Sequence, residues 1–330
     1  MRSTAKGRVF GILLAIWVLN LSASQAFGAE KITVGTVGKN QGFLPIWVGQ
    51  HKGFFKEKGL DVVTAPVLNL DVETKALLAG TFQFSTGAAP GVVLVVEQGQ
   101  DLKIIAALNN APGLSLVGRK EYKTLEDLKG TTLGVAGLRG AVTVLMQEIL
   151  RSKGFESPRD YKMVPMGTTQ ERMLALETGN VSAVMLLIPT NYMAMDKGYP
   201  ELVSFHQYVK DYHFAGVNVV GKWARENPGK VVDFLEGVLR ANRWIRESRK
   251  EAVEIAAREA GVPVEYADRT YDYYITNKIQ PLDGTVSEKG VQKAIENLGE
   301  LGDLKRPYPP ASKYIDMSYL REAQKRVFGR

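Results

Sequence analysis

Hydrophobic positions in the first part of the chain switch repeatedly between the spacing of a strand and the spacing of a helix. Short runs rich in β-branched residues, such as KITVGTV, alternate with segments whose apolar residues recur every three or four positions. The pattern predicts strands over residues 31–37, 61–65, 82–85 and 102–108, and helices over residues 44–51, 72–79 and 90–99. Strands that alternate with helices favour a parallel sheet with helices on both faces.

A second series of the same kind follows. It predicts strands over residues 132–135, 161–165 and 181–188, a helix over residues 141–153, and a helix that begins at the capping-box pair Thr168 and Glu171. The segments KALLAGTFQFSTGAAP and RMLALETGNVSAVMLLIPT both run from a helix through a glycine into a strand that ends on small or polar residues. This correspondence predicts two α/β lobes built on one plan, with a cleft between them.

The last third of the chain is mainly helical. After a strand over residues 217–220, Asn227 followed by Pro228 marks the start of a long helix whose apolar positions keep a helical period. We predict that residues 29–118 and 214–330 form the first lobe and that residues 119–213 form the second. The two crossings, near residues 118–121 and 213–216, would act as a hinge.

The first 28 residues have the order of a secretory signal peptide. Arg2, Lys6 and Arg8 precede an apolar run over residues 9–21, and small residues follow, with cleavage predicted after Ala26 or Gly28. A membrane anchor is the second interpretation, because the apolar run is shorter than the roughly 20 residues of a spanning helix. A cleaved leader predicts a soluble periplasmic protein.

Composition adds few constraints on partners. The 330 residues include no cysteine, so the stability of the secreted chain has to come from its core without disulfide bonds. The formal net charge of +7 is spread over stretches such as RESRKEAVEIAAREA, where both signs are mixed. Mixed charge is typical of a solvated helix face, and we therefore predict no nucleic-acid partner.

Candidate ligand contacts follow the strands, since ligands of open α/β sheets lie beyond the carboxyl ends of their strands. The residues in these positions are Gln41, Gly42, Phe43, Thr86, Gly87, Ala88, Leu138, Arg139, Gly140 and Thr190, together with His213 and Phe214 at the second crossing. Two of the segments join small residues to a helix start, where free N–H groups and the helix dipole suit an anion. Arg139 could add a bidentate pair with a carboxylate or sulfonate.

Several candidates have a structural alternative. Phe43 could line the pocket or belong to the core, and Trp47, inside a predicted helix, is expected to be core. His213 and Phe214 could contact a ligand or only form the hinge. Asp71 is the nearest candidate for a catalytic acid or base, but a role as a helix N-cap explains it more simply.

Motifs for catalysis are missing from the sequence. Its three histidines, His51, His206 and His213, have no metal-ligand spacing, and neither a GxSxG elbow nor a Walker loop is present. GLRGAV lacks the spacing of a dinucleotide-binding loop. We therefore expect no catalytic residue, no metal and no cofactor.

Four segments resemble the nitrate/sulfonate/taurine-type periplasmic substrate-binding proteins of ABC transporters, which are grouped with thiamine-pyrimidine-synthesis-like proteins. They are GFLPIWVGQHKGFFKEKGLDV, ALLAGTFQFSTGAAP, EDLKGTTLGV and ALETGNVSAVML. The resemblance implies a type II periplasmic-binding-protein fold, in which two α/β lobes close on one small ligand. By analogy, residues 41–43, 86–88, 138–140 and Thr190 match its pocket segments. PTNY at residues 189–192 departs from the acidic or aromatic residue that relatives often carry before proline.

The sequence therefore predicts a monomeric extracytoplasmic solute receptor that captures a small, anionic organic ligand and delivers it to an ABC permease in the inner membrane. The family also contains pyrimidine-synthesising enzymes with iron sites rich in cysteine and histidine, which a chain without cysteine does not match. One alternative is a periplasmic lyase or hydrolase that uses the same cleft. Another is a ligand-sensing subunit of a signalling system.

Overall fold

The computed structural model describes residues 29–67, 69–138 and 141–329, and its strands form two five-stranded sheets. The first sheet contains β1 (Glu30–Val37), β2 (Leu60–Val67), β3 (Phe84–Ser85), β4 (Leu102–Asn109) and β10 (Ala215–Val220). Its strand order is β2-β1-β3-β10-β4, with β1 parallel to β2 and β3, and β10 antiparallel to β3 and β4. The carboxyl ends of β1 and β3 therefore meet the start of β10 at one edge.

The second sheet repeats this plan. It contains β5 (Leu114–Gly118), β6 (Thr131–Val135), β7 (Tyr161–Pro165), β8 (Ala183–Leu187) and β9 (Glu201–Ser204), in the order β7-β6-β8-β5-β9. Here β6 is parallel to β7 and β8, and β5 is the antiparallel strand inserted before the last one. The two sheets agree with the two related α/β units that the sequence predicts.

Helices cover both sheets. The first lobe contributes α1 (Leu44–His51), α2 (Leu70–Leu78) and α3 (Ala89–Glu97), and the second contributes α4 (Ala141–Ser152), α5 (Thr169–Glu177) and α6 (Thr190–Asp196). The helical C-terminal part consists of α7 (Gly221–Glu226), α8 (Pro228–Glu247), α9 (Arg249–Ala260), α10 (Val264–Thr276), α11 (Glu288–Glu300) and α12 (Ser318–Phe328). Helices α8, α9, α10 and α12 share a buried apolar cluster with β1 and α1, so these four helices pack on the first lobe.

The chain changes sheet earlier than the sequence analysis expects. β5 pairs with β8 and β9, so the first change lies between the end of β4 at Asn109 and the start of β5 at Leu114, before the expected crossing at residues 118–121. The return lies between Ser204 and Ala215, and the expected second crossing at residues 213–216 falls at its end. Periodicity alone did not reveal the change, because β4 and β5 are both buried apolar strands separated by a short turn.

Helix α2 begins one residue before Asp71. Its N-cap is Asn69, whose side-chain oxygen accepts a hydrogen bond of 3.0 Å from the backbone of Val72. Asp71 lies in the exposed first turn, so the prediction that it caps the helix is wrong. Either residue type can cap a helix, and the preference between them depends on where the backbone turns.

Aromatic stacking joins the first sheet to α8. Phe84 of β3 stacks on Phe234 at 4.2 Å between ring centroids, and Phe55 stacks on the same ring at 5.1 Å. A Cβ atom on Gly49 of α1 or on Gly237 of α8 would lie 2.4 Å from the ring of Phe55. Two glycines therefore let α1 and α8 close on this ring, and Phe55 belongs to the scaffold.

One apolar cluster connects the lobes. It joins α3 of the first lobe to α4 of the second through the inner face of α11, with Val291, Ala294, Ile295 and Leu298 buried. Among the described residues no helix has the length and apolar character needed to cross a membrane. The predicted signal peptide, residues 1–28, lies outside the described residues.

Candidate functional site

The first-lobe candidates gather at the edge where β1 and β3 end and β10 begins. The backbone N–H of Phe214 donates 3.0 Å to the carbonyl of Asn109, and the N–H of Ala89 donates 3.2 Å to the carbonyl of His213. The side-chain amide of Asn109 lies 3.5 Å from the carbonyl of Gly42. Segments that are distant in sequence, at residues 41–43, 86–88 and 213–214, thus share one edge of the sheet.

The first segment is a 3-10 turn, Gln41–Phe43, capped by Asn40, whose side chain accepts 2.7 Å from the N–H of Gly42. All three residues of the turn are buried. Gln41 donates 2.8 Å to the carbonyl of Ala267, and the ring of Phe43 meets the ring of Trp47 edge-on. Phe43 and Trp47 both lie in the apolar core, so the expectation that Trp47 is core is confirmed.

Asn109, which the sequence analysis did not select, lies beside this turn. Its side chain is 3 % exposed, and its Oδ1 atom has no hydrogen-bond partner. A Cβ atom on Gly42 would lie 2.3 Å from its Nδ2 atom, so this close approach requires glycine at position 42. Asn109 ends β4, a position that the rule of strand ends could have flagged.

In the second segment, residues 86–88, the backbone N–H of the first residue already has a hydrogen-bond partner within the protein. The N–H of Thr86 donates 2.9 Å to Oε1 of Glu73, and its hydroxyl lies 3.1 Å from the same oxygen. The expectation of free N–H groups for an anion at this helix start is wrong for Thr86. The competing acceptor comes from α2, 13 residues earlier in the chain.

Glu73 is the ionisable group that the sequence analysis missed. It is 1 % exposed, and burial raises its pKa to about 7, although the hydrogen bonds from Thr86 favour the charged form. Its spacing of four residues from the buried Leu77 places both on the inner face of α2. That spacing was the available sequence signal, whereas the Asp71 that we considered is exposed.

His213 is part of the connection between the lobes. It is fully buried, both ring nitrogens lack a hydrogen-bond partner, and burial lowers its pKa to about 4. A Cβ atom on Gly216 would lie 2.3 Å from its Nε2 atom, so the ring packs against the backbone of β10. These contacts favour the structural alternative for His213, while Phe214 is half-buried.

Two second-lobe candidates belong to the described residues, Leu138 before α4 and Thr190 at the start of α6. Leu138 is 48 % exposed, and Arg139 and Gly140 lie outside the described residues. Thr190 is half-buried at the first position of α6. The next residue, Asn191, is buried and donates 2.9 Å to the hydroxyl of Ser115, so it anchors α6 to β5.

Two ion pairs join helices of different lobes. Arg269 of α10 lies 2.6 Å from the carboxylate of Asp196 at the end of α6, and its guanidinium is 4.4 Å from the ring centroid of Tyr192. Lys293 of α11 lies 2.8 Å from the carboxylate of Glu148 in α4. The described conformation therefore brings the lobes into contact through α6 and α10 and through α4 and α11.

A separate groove of about 740 Å³ lies between α4, α11 and the return segment. Glu148, Tyr208 and Lys293 are among its lining residues, and none of the predicted ligand contacts is. Across the part of the chain that the structure describes, no group of three or more His, Asp or Glu side chains could hold a metal ion.

Comparison with known proteins identifies one family over most of the chain. The NMT1/THI5-like family profile matches residues 40–252. The Bacillus subtilis (strain 168) protein YtlA is 22 % identical over 69 % of this chain and 70 % of its own length. The Saccharomyces cerevisiae 4-amino-5-hydroxymethyl-2-methylpyrimidine phosphate synthase THI11 is 28 % identical, but the match covers only 38 % of this chain and 36 % of the enzyme.

Solved structures agree in fold. The periplasmic nitrate-binding protein NrtA from Synechocystis PCC 6803 superposes with a TM-score of 0.78 at 15 % identity, over 92 % of this chain and 90 % of that one. The periplasmic aliphatic sulphonate binding protein SsuA from Escherichia coli superposes with a TM-score of 0.67 at 14 % identity, over 88 % of this chain and 99 % of that one. The two-lobe periplasmic-binding-protein fold predicted from the sequence is thereby confirmed.

Proposed function

Because this chain belongs to the NMT1/THI5-like family, we propose that it is an extracytoplasmic solute-binding protein of an ABC importer. It captures a small molecule between the lobes, closes over it and delivers it to a membrane permease. The observation that carries the proposal is the convergence of residues 41–43 and 86–88 on one strand edge of a two-lobe fold. Closure follows from a higher affinity of the ligand for the closed state.

The ligand that we propose carries an anionic group, such as a sulfonate or carboxylate. The contacts that we propose for this group are Leu138, Arg139 and Gly140, which precede Ala141 in the sequence. A helix start supplies backbone N–H groups and the positive end of its dipole, and arginine adds two parallel hydrogen bonds to a planar or tetrahedral anion.

A thermal-shift screen of the purified mature protein tests this function. An organic anion at about 100 times its dissociation constant should stabilise the protein by about 2.7 kcal/mol through mass action. Arg139→Ala should weaken its binding about tenfold or more, as expected for a lost charge-assisted pair. Arg151→Ala, which removes an exposed arginine from the same lobe, should leave the affinity unchanged. Equal affinity of Arg139→Ala and the wild type would contradict the anion site.

The bound compound should be recovered unchanged, and the protein should remain monomeric during binding. A periplasmic enzyme is the second candidate, and the buried acid Glu73, with its raised pKa, is the observation that favours it. Incubation of the protein with each stabilising compound separates the two. Conversion of the compound that Glu73→Gln abolishes would support the enzyme, and stoichiometric recovery supports the binding protein.

A further inference from the structure

The backbone donors around residues 86–88 are bound by acceptors of the protein itself. Glu73 takes the N–H of Thr86 at 2.9 Å and its hydroxyl at 3.1 Å. The carbonyl of His213 takes the N–H of Ala89, the first residue of α3, at 3.2 Å. A helix start attracts an anion through donors that have no other partner. This helix start therefore offers less to an anion than its sequence indicates.

Acceptors outnumber donors at the same place. Asn218 is 1 % exposed, and its amide nitrogen donates 2.9 Å to the carbonyl of Gly87. That hydrogen bond determines which amide atom is the oxygen, and Oδ1 of Asn218 is buried without a partner. An acceptor buried without a donor costs about 1–3 kcal/mol, so a donor supplied from outside would be stabilised there.

Gly87 leaves the carboxylate of Glu73 within reach of a small group. A Cβ atom on this glycine would lie 3.0 Å from Oε2 of Glu73, 3.4 Å from Leu70 and 3.5 Å from Asn218. Gly87 is itself buried, and Leu70 beside it is 39 % exposed. Within the described part of the chain, burial and Thr86 are the influences on Glu73, with no cationic side chain among them.

We propose that Glu73 determines specificity, because it makes this wall of the first lobe accept a hydrogen-bond donor of the ligand instead of an anionic group. The inference rests on the proposed function and deepens it. The ligand is then a bipolar organic anion whose N–H-bearing end lies beside Gly87. Inorganic anions and plain alkyl anions match only half of the site.

Calorimetric affinities for 3-aminopropanesulfonate and propanesulfonate test this inference. The wild type should bind the amino compound about tenfold or more tightly, the gain expected from a hydrogen bond to a charged group. In Glu73→Gln, which keeps the size of the side chain, this preference should fall below about threefold while propanesulfonate binds as before. Asp71→Asn, an exposed change on the same helix, should keep the wild-type preference.

Each other outcome is decisive. Equal wild-type affinities for the two compounds contradict the inference and leave the proposed function intact. If Glu73→Gln weakens both compounds by the same factor, Glu73 only supports the turn at Thr86, and the inference is wrong. If neither these compounds nor inorganic sulfate binds the wild type, the proposed function for organic anions fails, and the inference fails with it. Circular dichroism of the variants confirms that each one is folded.

Discussion

Two buried ionisable residues at the first-lobe edge respond to pH in opposite directions. Burial disfavours the charged form of each, so it raises the pKa of Glu73 to about 7 and lowers the pKa of His213 to about 4. His213 stabilises the fold fully above its unfolded pKa, and this contribution is lost as the pH falls towards the folded value. Glu73 contributes in the opposite direction, because its pKa is higher in the folded state than in the unfolded chain. Its contribution to stability is present at low pH and is lost as the pH rises through about 7.

Glu73→Gln should change the pH dependence of stability. Between the unfolded value of 4.5 and about 7, the folded wild type holds a proton that the unfolded chain releases, so the free energy of unfolding falls as the pH rises. The variant has no such proton, and it should gain up to about 3 kcal/mol relative to the wild type between about pH 5 and pH 8. Urea unfolding at both pH values measures this difference. Parallel pH curves for the two proteins would show that Glu73 is charged in the folded state.

At the scale of elements, the packing of helices on the first sheet depends on small residues at defined positions. Helices α1 and α8 approach the ring of Phe55 through Gly49 and Gly237, and Phe234 of α8 stacks on this ring. Interiors as dense as this one have no room for an added methyl group. The segment GFLPIWVGQHKGFFKEKGLDV, which contains Phe55, is thus part of the scaffold from α1 onwards.

Gly237→Ala should destabilise the protein by about 1–3 kcal/mol, because the new Cβ atom would lie 2.4 Å from the ring of Phe55. Gly229→Ala is the matched control in the same helix, since nothing lies within 4 Å of its added Cβ atom. The control should be neutral or stabilising by about 0.4–1 kcal/mol, because alanine restricts the unfolded chain. Thermal unfolding of both variants measures the contrast, and equal melting temperatures would contradict it.

For the whole molecule, the proposed binding mechanism makes the contacts between the lobes determine how readily the cleft opens. One apolar cluster spans both lobes through α11, and ion pairs connect α6 with α10 and α4 with α11. The pair between Arg269 and Asp196 is 40 % and 46 % exposed, so water and salt weaken it. It can bias a balance between open and closed forms but cannot hold the lobes together.

Arg269→Ala should shift the ligand-free protein towards an open form. The lost pair is worth about 0.2–1 kcal/mol, which corresponds to a change of about 1.4- to fivefold in the ratio of closed to open molecules. Small-angle scattering should give a larger radius of gyration for the variant at low salt, and high salt should reduce the difference. Arg243→Ala, which removes an ion pair within α8, is the control and should scatter like the wild type. A variant that scatters like this control would show that the pair has no influence on opening.

The sequence determined most of the architecture, because each buried strand or helix needs apolar residues at its own spacing along the chain. The alternation up to residue 220 predicted every strand of the first sheet and β6, β7 and β8 of the second, but not β5 or β9, and the glycine and capping positions predicted most helix ends. The rule of strand ends selected residues 41–43 and 86–88, and the predicted second crossing selected residues 213–214. The fold brings all three segments to one edge. These features depend on neighbours in sequence, and one chain is enough to reveal them.

Only the tertiary structure decided which atoms meet at that edge. Glu73 occupies the N–H of Thr86, Asn109 lies against Gly42, and His213 is enclosed by β10, although these partners are far apart in sequence or on different elements. The structure also decided that β5 belongs to the second sheet, because β5 pairs with β8, which lies far away in the sequence. Periodicity indicates that a side chain is buried but does not indicate which groups it contacts. For a buried polar side chain, those contacts determine its charge and its function.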